Sequence, residues 1–296
     1  MAMHSESQGF RYFLQLVGQG IGGHGQAFNQ ESFLSKKILI TGAGTGIGRD
    51  AAFALAARGH QVWATTVDDV QAQTLSSEVL ARGLSIQVFK LDITCEADRA
   101  LVEPLALDVL INNAAVGESG ALAEVPMERV RKAFEVNVFA TLALTQTVLR
   151  GMVARERGTV LLVSSIAGRI PMPFLMPYSM TKFALSAAGA GLRAEMDRLK
   201  KNIHIALIEP GAIHTGFNQD MAARKYDWMD ERSYFWPLRA RLQAEEKKSF
   251  DFLEARGTGS IVAQIVKAAE ARRPRLRYVA PRIQGWLVQL ARIVGV

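Results

Sequence analysis

The sequence predicts an α/β fold, a doubly wound parallel sheet of seven strands with helices on both faces. From residue 36 onward, apolar runs of strand length alternate with periodic segments of helix length, as in sheets that are covered on both faces. A glycine-rich turn follows the first of these strands, where such folds bind their ligands. At 296 residues and 49% hydrophobic content, the chain is long enough to bury one large core.

Each predicted strand is a short apolar run, and each predicted helix is a longer periodic segment that follows a strand. The strands span residues 37–41, 61–66, 85–91, 108–112, 159–164, 203–209 and 276–279. The helices span residues 46–58, 68–82, 96–103, 126–154, 177–200 and 258–272. The motifs described below fall at the ends of these strands or in the helices that follow, so we expect one shared crevice at the carboxyl edge of the sheet.

We expect one domain over residues 36–296, preceded by an N-terminal extension, residues 1–35, that packs on it. The chain shows no internal repeat, no low-complexity tract and no linker rich in proline and glycine. Residues 217–257, after the sixth strand, are predicted to be irregular and are rich in aromatic side chains. Long connections of this kind are often functional, so we interpret residues 217–257 as a substrate lid.

Composition argues against several classes of function. The formal charge of +7 is spread over several helices, and the densest basic run, residues 272–282, offers only Tyr278 for stacking on a base, so we expect no nucleic-acid partner. The single cysteine, Cys95, excludes an intrachain disulfide, which fits a cytoplasmic localisation. The five histidines are scattered without the spacing of metal ligands, so we expect no metal site.

No membrane span is expected either. No stretch reaches the ~18 uninterrupted apolar residues that a transmembrane helix needs. The C-terminal segment 285–294 has the pattern of an amphipathic helix. We expect it to pack on the protein or on a partner subunit, with contact to a membrane surface as the alternative.

Three glycines mark the first strand-to-helix turn. Gly42, Gly46 and Gly48 follow an apolar strand and open an Ala-rich helix, so the backbone can turn tightly and present N–H groups to a pyrophosphate at the helix N-terminus. An ordinary turn is the alternative, but the spacing and the position favour a dinucleotide.

A tyrosine and a lysine four residues apart point to acid/base chemistry. If residues 177–200 are helical, Tyr178 and Lys182 lie on one face, so the lysine ammonium can lie beside the phenol. A free phenol titrates near ~10, and the lysine, helped by a positively charged nicotinamide, would lower this pKa toward working pH. Ser165 precedes Tyr178 by thirteen residues. A chance pair and a serine that caps a strand end are the structural alternatives.

These motifs occur in one order along residues 36–215. They are Thr41-Gly-x-x-x-Gly-x-Gly48, Asn112-Asn-Ala-Ala115, Asn137, Ser165, Tyr178-x-x-x-Lys182 and Pro210-Gly-x-x-x-Thr215. The set resembles the classical short-chain dehydrogenase/reductase family, with Ala115 in place of the family's usual glycine. The resemblance implies a Rossmann-type fold and an enzyme that transfers a hydride between NAD or NADP and a carbonyl or secondary alcohol.

The resemblance also implies a catalytic set. In it, Tyr178 is the proton donor or acceptor, and Lys182 lowers the pKa of Tyr178 and holds the nicotinamide ribose. Ser165 hydrogen-bonds the substrate oxygen, and Asn137 holds a water beside Lys182 that relays protons to solvent. Of the two adjacent serines, Ser165 has the family's spacing to Tyr178, and Ser164 is its supporting neighbour.

Cofactor-binding residues follow from the same resemblance. They are Gly42, Thr45, Gly46, Ile47, Gly48, Thr66, Asp92, Ile93, Asn113, Ala114, Tyr178, Lys182, Pro210, Gly211, Ile213 and Thr215. In the family, the end of the second strand sets the preference between NAD and NADP, and Thr66 there neither excludes a phosphate nor pairs with one. Asp68 and Asp69 favour NAD slightly, because they would repel a 2′-phosphate, unless they cap the next helix instead.

The predicted substrate is small and hydrophobic. Residues 166–177 are apolar and stiffened by prolines, and opposite the lid they favour steroid-like, retinoid-like, aromatic or long-chain alcohols and ketones over sugars. The alternative is a catalytically silent nucleotide-binding protein of the same fold. A sugar-nucleotide epimerase ranks below it, because residues 216–296 are too few for the larger substrate domain of such enzymes. By family habit, we expect a homodimer or homotetramer formed through the helices that contain Asn137 and Tyr178.

Overall fold

The computed structural model describes residues 35–294, so the predicted N-terminal extension lies outside the described residues apart from Ser35. Within them, seven parallel strands form one sheet. They are β1 (Lys37–Ile40), β2 (Gln61–Thr66), β3 (Ile86–Lys90), β4 (Val109–Asn112), β5 (Arg157–Val163), β6 (Asn202–Pro210) and β7 (Arg277–Ala280). Their order across the sheet is β3-β2-β1-β4-β5-β6-β7. The predicted doubly wound α/β fold with a seven-stranded parallel sheet is confirmed.

Ten α-helices connect and cover these strands within residues 35–294. They are α1 (Gly46–Ala57), α2 (Asp69–Ala81), α3 (Glu96–Ala100), α4 (Met127–Phe134), α5 (Thr141–Ala154), α6 (Met176–Arg198), α7 (Phe217–Ala223), α8 (Arg239–Leu253), α9 (Gly259–Glu270) and α10 (Arg282–Val294). Successive residues of a strand point to opposite faces. Ile38 and Ile40 of β1 therefore pack with α1, α2 and α9 in one apolar core. The buried Leu39 points to the other face, where α5 and α6 cover β5 and β6.

A π-helix and four 3-10 helices complete the elements of residues 35–294, and the helices differ from the prediction in two places. A π-helix spans Glu135–Ala140, and 3-10 helices span Glu103–Leu105, Ile166–Gly168, Arg224–Asp227 and Trp236–Leu238. The π-helix divides the predicted helix 126–154, and such stretches are frequent at functional sites. Residues 217–257, predicted to be irregular, contain α7 and α8. The pattern of α8 escapes detection because it buries only Leu242, so the helix lacks the apolar stripe that marks an amphipathic helix.

The topology opens a crevice at the carboxyl edge of the sheet. β1 lies between β2 and β4, so the connections that leave β1 and β4 diverge and leave room for a ligand. Side-chain hydrogen bonds hold the two strand ends together there. Thr41 Oγ1 accepts from the backbone N–H groups of Asn113 and Ala114, each at 3.0 Å. Asn113 Nδ2 in turn donates to the carbonyl oxygens of Thr41 and Gly42, at 3.0 and 2.9 Å.

Within residues 35–294, one helical run has the length and composition of a membrane span. Met127–Ala154 contains 28 residues, and its mean hydropathy reaches 1.2 over a window of 18 residues. Half of that window is buried inside the protein, and the run packs on β4 and β5. The core helix of a soluble protein has the same properties, so the predicted absence of a membrane span stays a prediction.

Candidate active site

One cavity at the carboxyl edge of the sheet collects most of the predicted site residues. Its volume is about 1230 Å³, above the ~300–1,000 Å³ of an ordinary small-ligand pocket. The predicted residues on its wall are Gly42, Thr45, Gly46, Ile47, Asp92, Ile93, Asn113, Ala114, Ser165, Tyr178, Lys182, Pro210, Gly211, Ile213 and Thr215. Gly48, Thr66 and Asn137 are not on the wall; they pack directly behind it.

The glycine turn allows close approach of a ligand to the backbone. Gly42 has a φ of +63°, and a Cβ there would lie 2.7 Å from the Cα of Ala114, so only glycine fits. A Cβ at Gly48 would lie 2.5 Å from the carbonyl oxygen of Gly42. Thr45 caps α1 without a side-chain hydrogen bond, and the N–H of Gly46 has no acceptor within residues 35–294. Free N–H groups at a helix N-terminus suit a pyrophosphate.

At the end of β2, the structure distinguishes between the two roles that the sequence leaves open for Asp68. Asp68 is the N-cap of α2, and its carboxylate accepts hydrogen bonds from the backbone N–H and the Nε2 of Gln71, at 2.8 and 3.0 Å. Thr66 is buried, and its hydroxyl donates to the Asp68 carbonyl oxygen at 2.9 Å. The carboxylate of Asp68 is thus engaged in capping, and the slight preference for NAD, predicted from Asp68 and Asp69, stays a prediction. Val67 and Gln71, which were not predicted, line this end of the cavity.

Tyr178 and Lys182 lie close together in the first turns of α6. They are 8% and 2% exposed. Lys182 Nζ lies 5.5 Å from the centroid of the Tyr178 ring and donates to the carbonyl oxygen of Val163 at 2.8 Å. The hydroxyl of Ser165 lies close enough to Tyr178 to lower its pKa. A phenol, an ammonium and a hydroxyl thus converge at the end of β5.

Burial dominates the acid/base properties of this pair. It raises the pKa of Tyr178 well above the ordinary value, and the nearby hydroxyl of Ser165 offsets part of the rise. It lowers the pKa of Lys182 to about 7. The phenol is therefore held protonated, in the form that donates a proton. Lowering of the Tyr178 pKa by the lysine together with a nicotinamide stays a prediction.

Asn137 lies in the π-helix and connects two parts of the site. Its Oδ1 accepts from the backbone N–H of Val116 at 2.8 Å, and its Nδ2 donates to the Val116 carbonyl oxygen at 2.9 Å and to Thr181 Oγ1 at 3.1 Å. Thr181 in turn donates to the carbonyl oxygen of Tyr178 at 2.7 Å. Asn137 therefore fixes the start of α6 relative to the end of β4. The relay water beside Lys182 stays a prediction.

The two adjacent serines have different surroundings. Ser164 Oγ donates to the Lys182 carbonyl oxygen at 3.1 Å and shares a hydrogen bond with Ser186 Oγ at 2.7 Å. Ser165 Oγ accepts from the N–H of Ala167 at 3.1 Å, donates a long hydrogen bond to the Pro210 carbonyl oxygen at 3.4 Å and lies beside Tyr178. Ser164 is thus committed to packing against α6, whereas Ser165 faces the phenol. The choice of Ser165 as the residue that binds the substrate oxygen stays a prediction.

The segment after β6 closes over the glycine turn. A Cβ at Gly46 would lie 3.4 Å from the Cβ of Thr215. From the other side, Gln284 of α10 accepts a hydrogen bond from the backbone N–H of Ala212 at 2.8 Å. A contact over such a sequence distance leaves no pattern in the sequence, so Gln284 was not predicted.

The other half of the cavity lies between the segment after β5 and the predicted lid. Met172, Leu175 and Phe217 pack around Tyr178, together with the buried Met221. The rings of Phe217 and Tyr178 lie 5.8 Å apart. Other lid aromatics point away: Tyr234 and Phe252 are 75% and 87% exposed.

A buried ion pair in residues 217–257 is not predicted by the sequence. Lys225 borders the cavity, is 2% exposed, pairs with Glu246 and donates to the carbonyl oxygen of Ala222 at 2.9 Å. Tyr226 donates to the same carboxylate at 3.1 Å. A lysine in a charged segment has the pattern of a solvated surface residue, so its burial has no signal in the sequence.

No metal centre is formed by the part of the chain that the structure describes. Residues 35–294 contain no group of three or more His, Cys, Asp or Glu side chains placed to hold an ion. Metal-independent chemistry stays a prediction from the scattered histidines.

Comparison with known proteins identifies the family. The model of the short chain dehydrogenase family matches residues 36–225. This chain belongs to the short-chain dehydrogenase/reductase family. The matched residues include the glycine turn, Ser165, Tyr178 and Lys182, so the resemblance seen in the motifs is confirmed.

The relatives carry the names of dehydrogenases and reductases. The chain is 33% identical over 192 residues to mouse dehydrogenase/reductase SDR family member 7B, a match that covers 61% of this chain and 58% of the mouse protein, which is less than two thirds of that relative. It is 32% identical over 198 residues to human retinol dehydrogenase 8, a match that covers 64% of this chain and 62% of the human protein. It is 30% identical over 261 residues to the NADPH-dependent 3-dehydrocapnine reductase of Ornithobacterium rhinotracheale, a match that covers 82% of this chain and 88% of the reductase.

Solved structures share the fold. A short-chain dehydrogenase/reductase from Burkholderia phymatum in complex with NAD aligns with a TM-score of 0.75 at 21% identity, covering 89% of this chain and 95% of that one. A short-chain dehydrogenase from Sphingobium yanoikuyae in complex with NADPH aligns with a TM-score of 0.66 at 22% identity, covering 88% and 95%. Members of this fold therefore bind either nucleotide.

Proposed function

We propose that this protein is an NAD(P)-dependent oxidoreductase that transfers a hydride between the nicotinamide and the carbonyl or secondary alcohol of a small hydrophobic substrate. The observation that carries this proposal is that one cavity holds both the glycine turn and the group of Ser165, Tyr178 and Lys182. A helix N-terminus with free N–H groups binds a phosphate, and a buried phenol exchanges a proton with an oxygen. A hydride transfer between a nicotinamide nucleotide and a carbonyl requires both a binding site for the nucleotide and a group that exchanges the proton.

The chain's own residues handle the proton of the reaction, while the bound cofactor supplies or accepts the hydride. In the reducing direction, Tyr178 donates its phenol proton to the carbonyl oxygen. Ser165, which lies beside the same phenol, binds that oxygen and stabilises its developing charge. Lys182, whose pKa of about 7 lies near working pH, stabilises the phenolate and returns a proton to it.

The remaining residues bind the cofactor or position the catalytic group. The turn from Gly42 to Gly48 takes the pyrophosphate, while Asp92, Ile93, Asn113 and Ala114 line the adenosine side. Residues 210–215 line the nicotinamide side, and Thr66 supports the wall beside Gly44, where a Cβ would lie 3.5 Å from Thr66 Cγ2. Asn137 positions the start of α6 through Thr181. The cofactor is NAD or NADP, since a relative is named for NADPH and solved structures hold each nucleotide.

The apolar surroundings of Tyr178 support a hydrophobic substrate. Met172, Leu175, Phe217 and Met221 surround the phenol, so a substrate whose reacting oxygen meets Tyr178 must place carbon around it. Residues 217–257 form the lid over this half of the cavity. A retinol dehydrogenase among the relatives agrees with a bulky apolar alcohol or ketone.

Steady-state kinetics with a graded series of ketones tests this substrate class. We expect turnover of bulky apolar ketones with NADH or NADPH, and a higher KM for them in Phe217→Ala. Phe252→Ala is the matched control, because Phe252 is 87% exposed and lies outside the cavity. Preference for a short polar polyol over every bulky ketone would contradict the proposal. Tight nucleotide binding without turnover of any ketone would favour the silent binding protein instead.

We further propose a homodimer or homotetramer in which two helical segments pair between subunits: the π-helix with α5, which contains Asn137, and α6, which contains Tyr178. Phe139 and Phe183 lie on this helical surface and are 59% and 37% exposed, which leaves apolar area for a partner. Light scattering after gel filtration tests the assembly, and a clean monomer would contradict it. The single domain over residues 36–296 and the cytoplasmic localisation are parts of the same proposal.

A further inference from the structure

The C-terminal helix α10 has an apolar face that none of the residues 35–294 covers. Six large apolar side chains on it are between 55% and 77% exposed: Ile283, Trp286, Leu287, Leu290, Ile293 and Val294. They recur at intervals of three and four residues, so they form one continuous stripe along the helix. We call these six residues the α10 stripe. A contiguous apolar surface of this kind marks a contact site.

The opposite face of α10 is anchored in the domain. Val288 is 5% exposed. Gln284 accepts from the N–H of Ala212 at 2.8 Å and donates to the carbonyl oxygen of Leu253 at 2.7 Å. Gln289 accepts a hydrogen bond from Arg169. Contacts on the far side therefore hold the helix in place, and its fold does not depend on covering the α10 stripe.

The segment that carries the α10 stripe has charges of a single sign. Residues 271–294 contain six arginines and no aspartate or glutamate. Arg282 and Arg292 of α10 are exposed, and no carboxylate of residues 35–294 forms an ion pair with either. Arginines beside an exposed apolar face complement a surface that is apolar inside and negatively charged at its boundary, which describes a membrane with anionic lipids.

The same positive charge argues against two other occupants of the α10 stripe: a second copy of the chain and residues 1–34. A second copy that met the stripe symmetrically would bring its own arginines against Arg282 and Arg292, and like charges oppose such a contact. Residues 1–34 contain two glutamates and one arginine, too little charge to complement the segment. Trp286, which combines an apolar ring with a polar N–H, suits the boundary between lipid and water.

We propose that α10 lies in the plane of an anionic membrane surface, with the α10 stripe in the outer acyl region and its arginines at the headgroups. Its described residues, Arg282–Val294, combine the α10 stripe with the polar or charged Arg282, Gln284, Gln289 and Arg292, the two-sided pattern of a helix that lies on a membrane surface. This binding does not depend on the redox activity and is measured without turnover.

Flotation of the full chain with vesicles tests the proposal. We expect binding to vesicles of phosphatidylcholine mixed with phosphatidylserine, weaker binding to phosphatidylcholine alone, and loss of binding as salt rises. Leu290→Glu puts a charge into the α10 stripe and should lower the affinity at least about tenfold. Leu80→Glu, at a position of α2 that is 82% exposed, is the matched control and should bind like wild type. Arg282→Glu should lower binding to the mixed vesicles about fivefold or more.

Quenching by brominated lipids gives an independent readout. Part of the tryptophan emission should be quenched on binding, and Trp286→Phe should abolish that part while the protein still floats with the vesicles. Failure of the wild type to float with anionic vesicles would overturn the proposal, as would wild-type binding by Leu290→Glu. A change of oligomeric state in Leu290→Glu without lipid would also overturn it, since the stripe would then be covered by a second copy.

Discussion

The ammonium of Lys182 donates a hydrogen bond to the carbonyl oxygen of Val163, 2.8 Å away, while the side chain is almost completely buried. An ammonium has three N–H donors, and this bond uses one. The cost of burying the charge is therefore only partly offset, and burial lowers the pKa of Lys182 to about 7. The other donors are free to meet ligand hydroxyls, because Lys182 lines the cavity.

Lys182→Met should stabilise the fold most strongly below pH ~7. In the unfolded chain the lysine titrates near its ordinary 10.5, but in the folded protein at about 7. Between these values the unfolded state holds more protons, so wild-type stability rises with pH. Below both pKa values the full free-energy cost of burying the charged lysine is present. There the free energy of unfolding of the variant should exceed that of the wild type by about 2–5 kcal/mol. Denaturant unfolding of both proteins over a pH series, without nucleotide, measures this gain; a gain that stays constant with pH would refute the buried-charge explanation.

Gly42→Ala should abolish nucleotide binding and destabilise the fold. The new Cβ would lie 2.7 Å from the Cα of Ala114, so the turn must move. This displacement should lower the free energy of unfolding by about 1–3 kcal/mol, in addition to the cost of the positive φ. Gly83→Ala is the matched control, because Gly83 has the same φ of +63° but open space around it. Unfolding free energies and NADH fluorescence titrations separate the two variants. Equal effects in both would mean that φ alone, and not the contact with Ala114, requires glycine.

Asp68→Ala should lower stability without changing cofactor preference. The variant loses the N-cap hydrogen bond to Gln71, which is worth about 1 kcal/mol. Asp69→Ala is the control, because Asp69 lies in the first turn of α2 and does not cap it. The ratio of NADH to NADPH affinity, measured for wild type and both variants, should be unchanged. Tighter NADPH binding by Asp68→Ala alone would show that this carboxylate does repel a 2′-phosphate.

Gly120→Ala should loosen the lid. A Cβ at Gly120 would lie 2.2 Å from the Trp228 ring, so the indole and the lid segment that carries it must shift. We expect the KM for a bulky ketone to rise about tenfold, with a change in tryptophan emission. Gly257→Ala is the control in the same region, since its positive φ of +76° is accompanied by open space. An unchanged KM in Gly120→Ala would contradict this prediction, because the packing of Trp228 on Gly120 would then not determine the position of the lid.

The parts of the structure that the sequence predicts are those with local causes. The seven strands follow from runs of apolar residues, and the glycine turn follows from three glycines between a strand and a helix. The pair Tyr178 and Lys182 follows from helical spacing, because the two residues lie one turn apart. Each of these patterns is complete within a few residues.

The parts that escape prediction depend on contacts between distant segments. The burial of Lys225 depends on Glu246 of α8, and the support of Ala212 depends on Gln284 of α10. The local role of Asp68 was open to two interpretations, and the geometry of its carboxylate chose capping. The pKa of Lys182 depends on burial, which no local pattern reports.

The most direct test of the central claim is Tyr178→Phe, assayed for NADH and NADPH binding and for turnover of a bulky ketone in the same sample. The variant keeps the ring and removes only the hydroxyl. We predict unchanged nucleotide binding and a loss of turnover of about 10²–10⁴-fold, with a loss in Ser165→Ala but not in its neighbour Ser164→Ala. Undiminished turnover by Tyr178→Phe would contradict the account, because the phenol would then not be the group that transfers the proton.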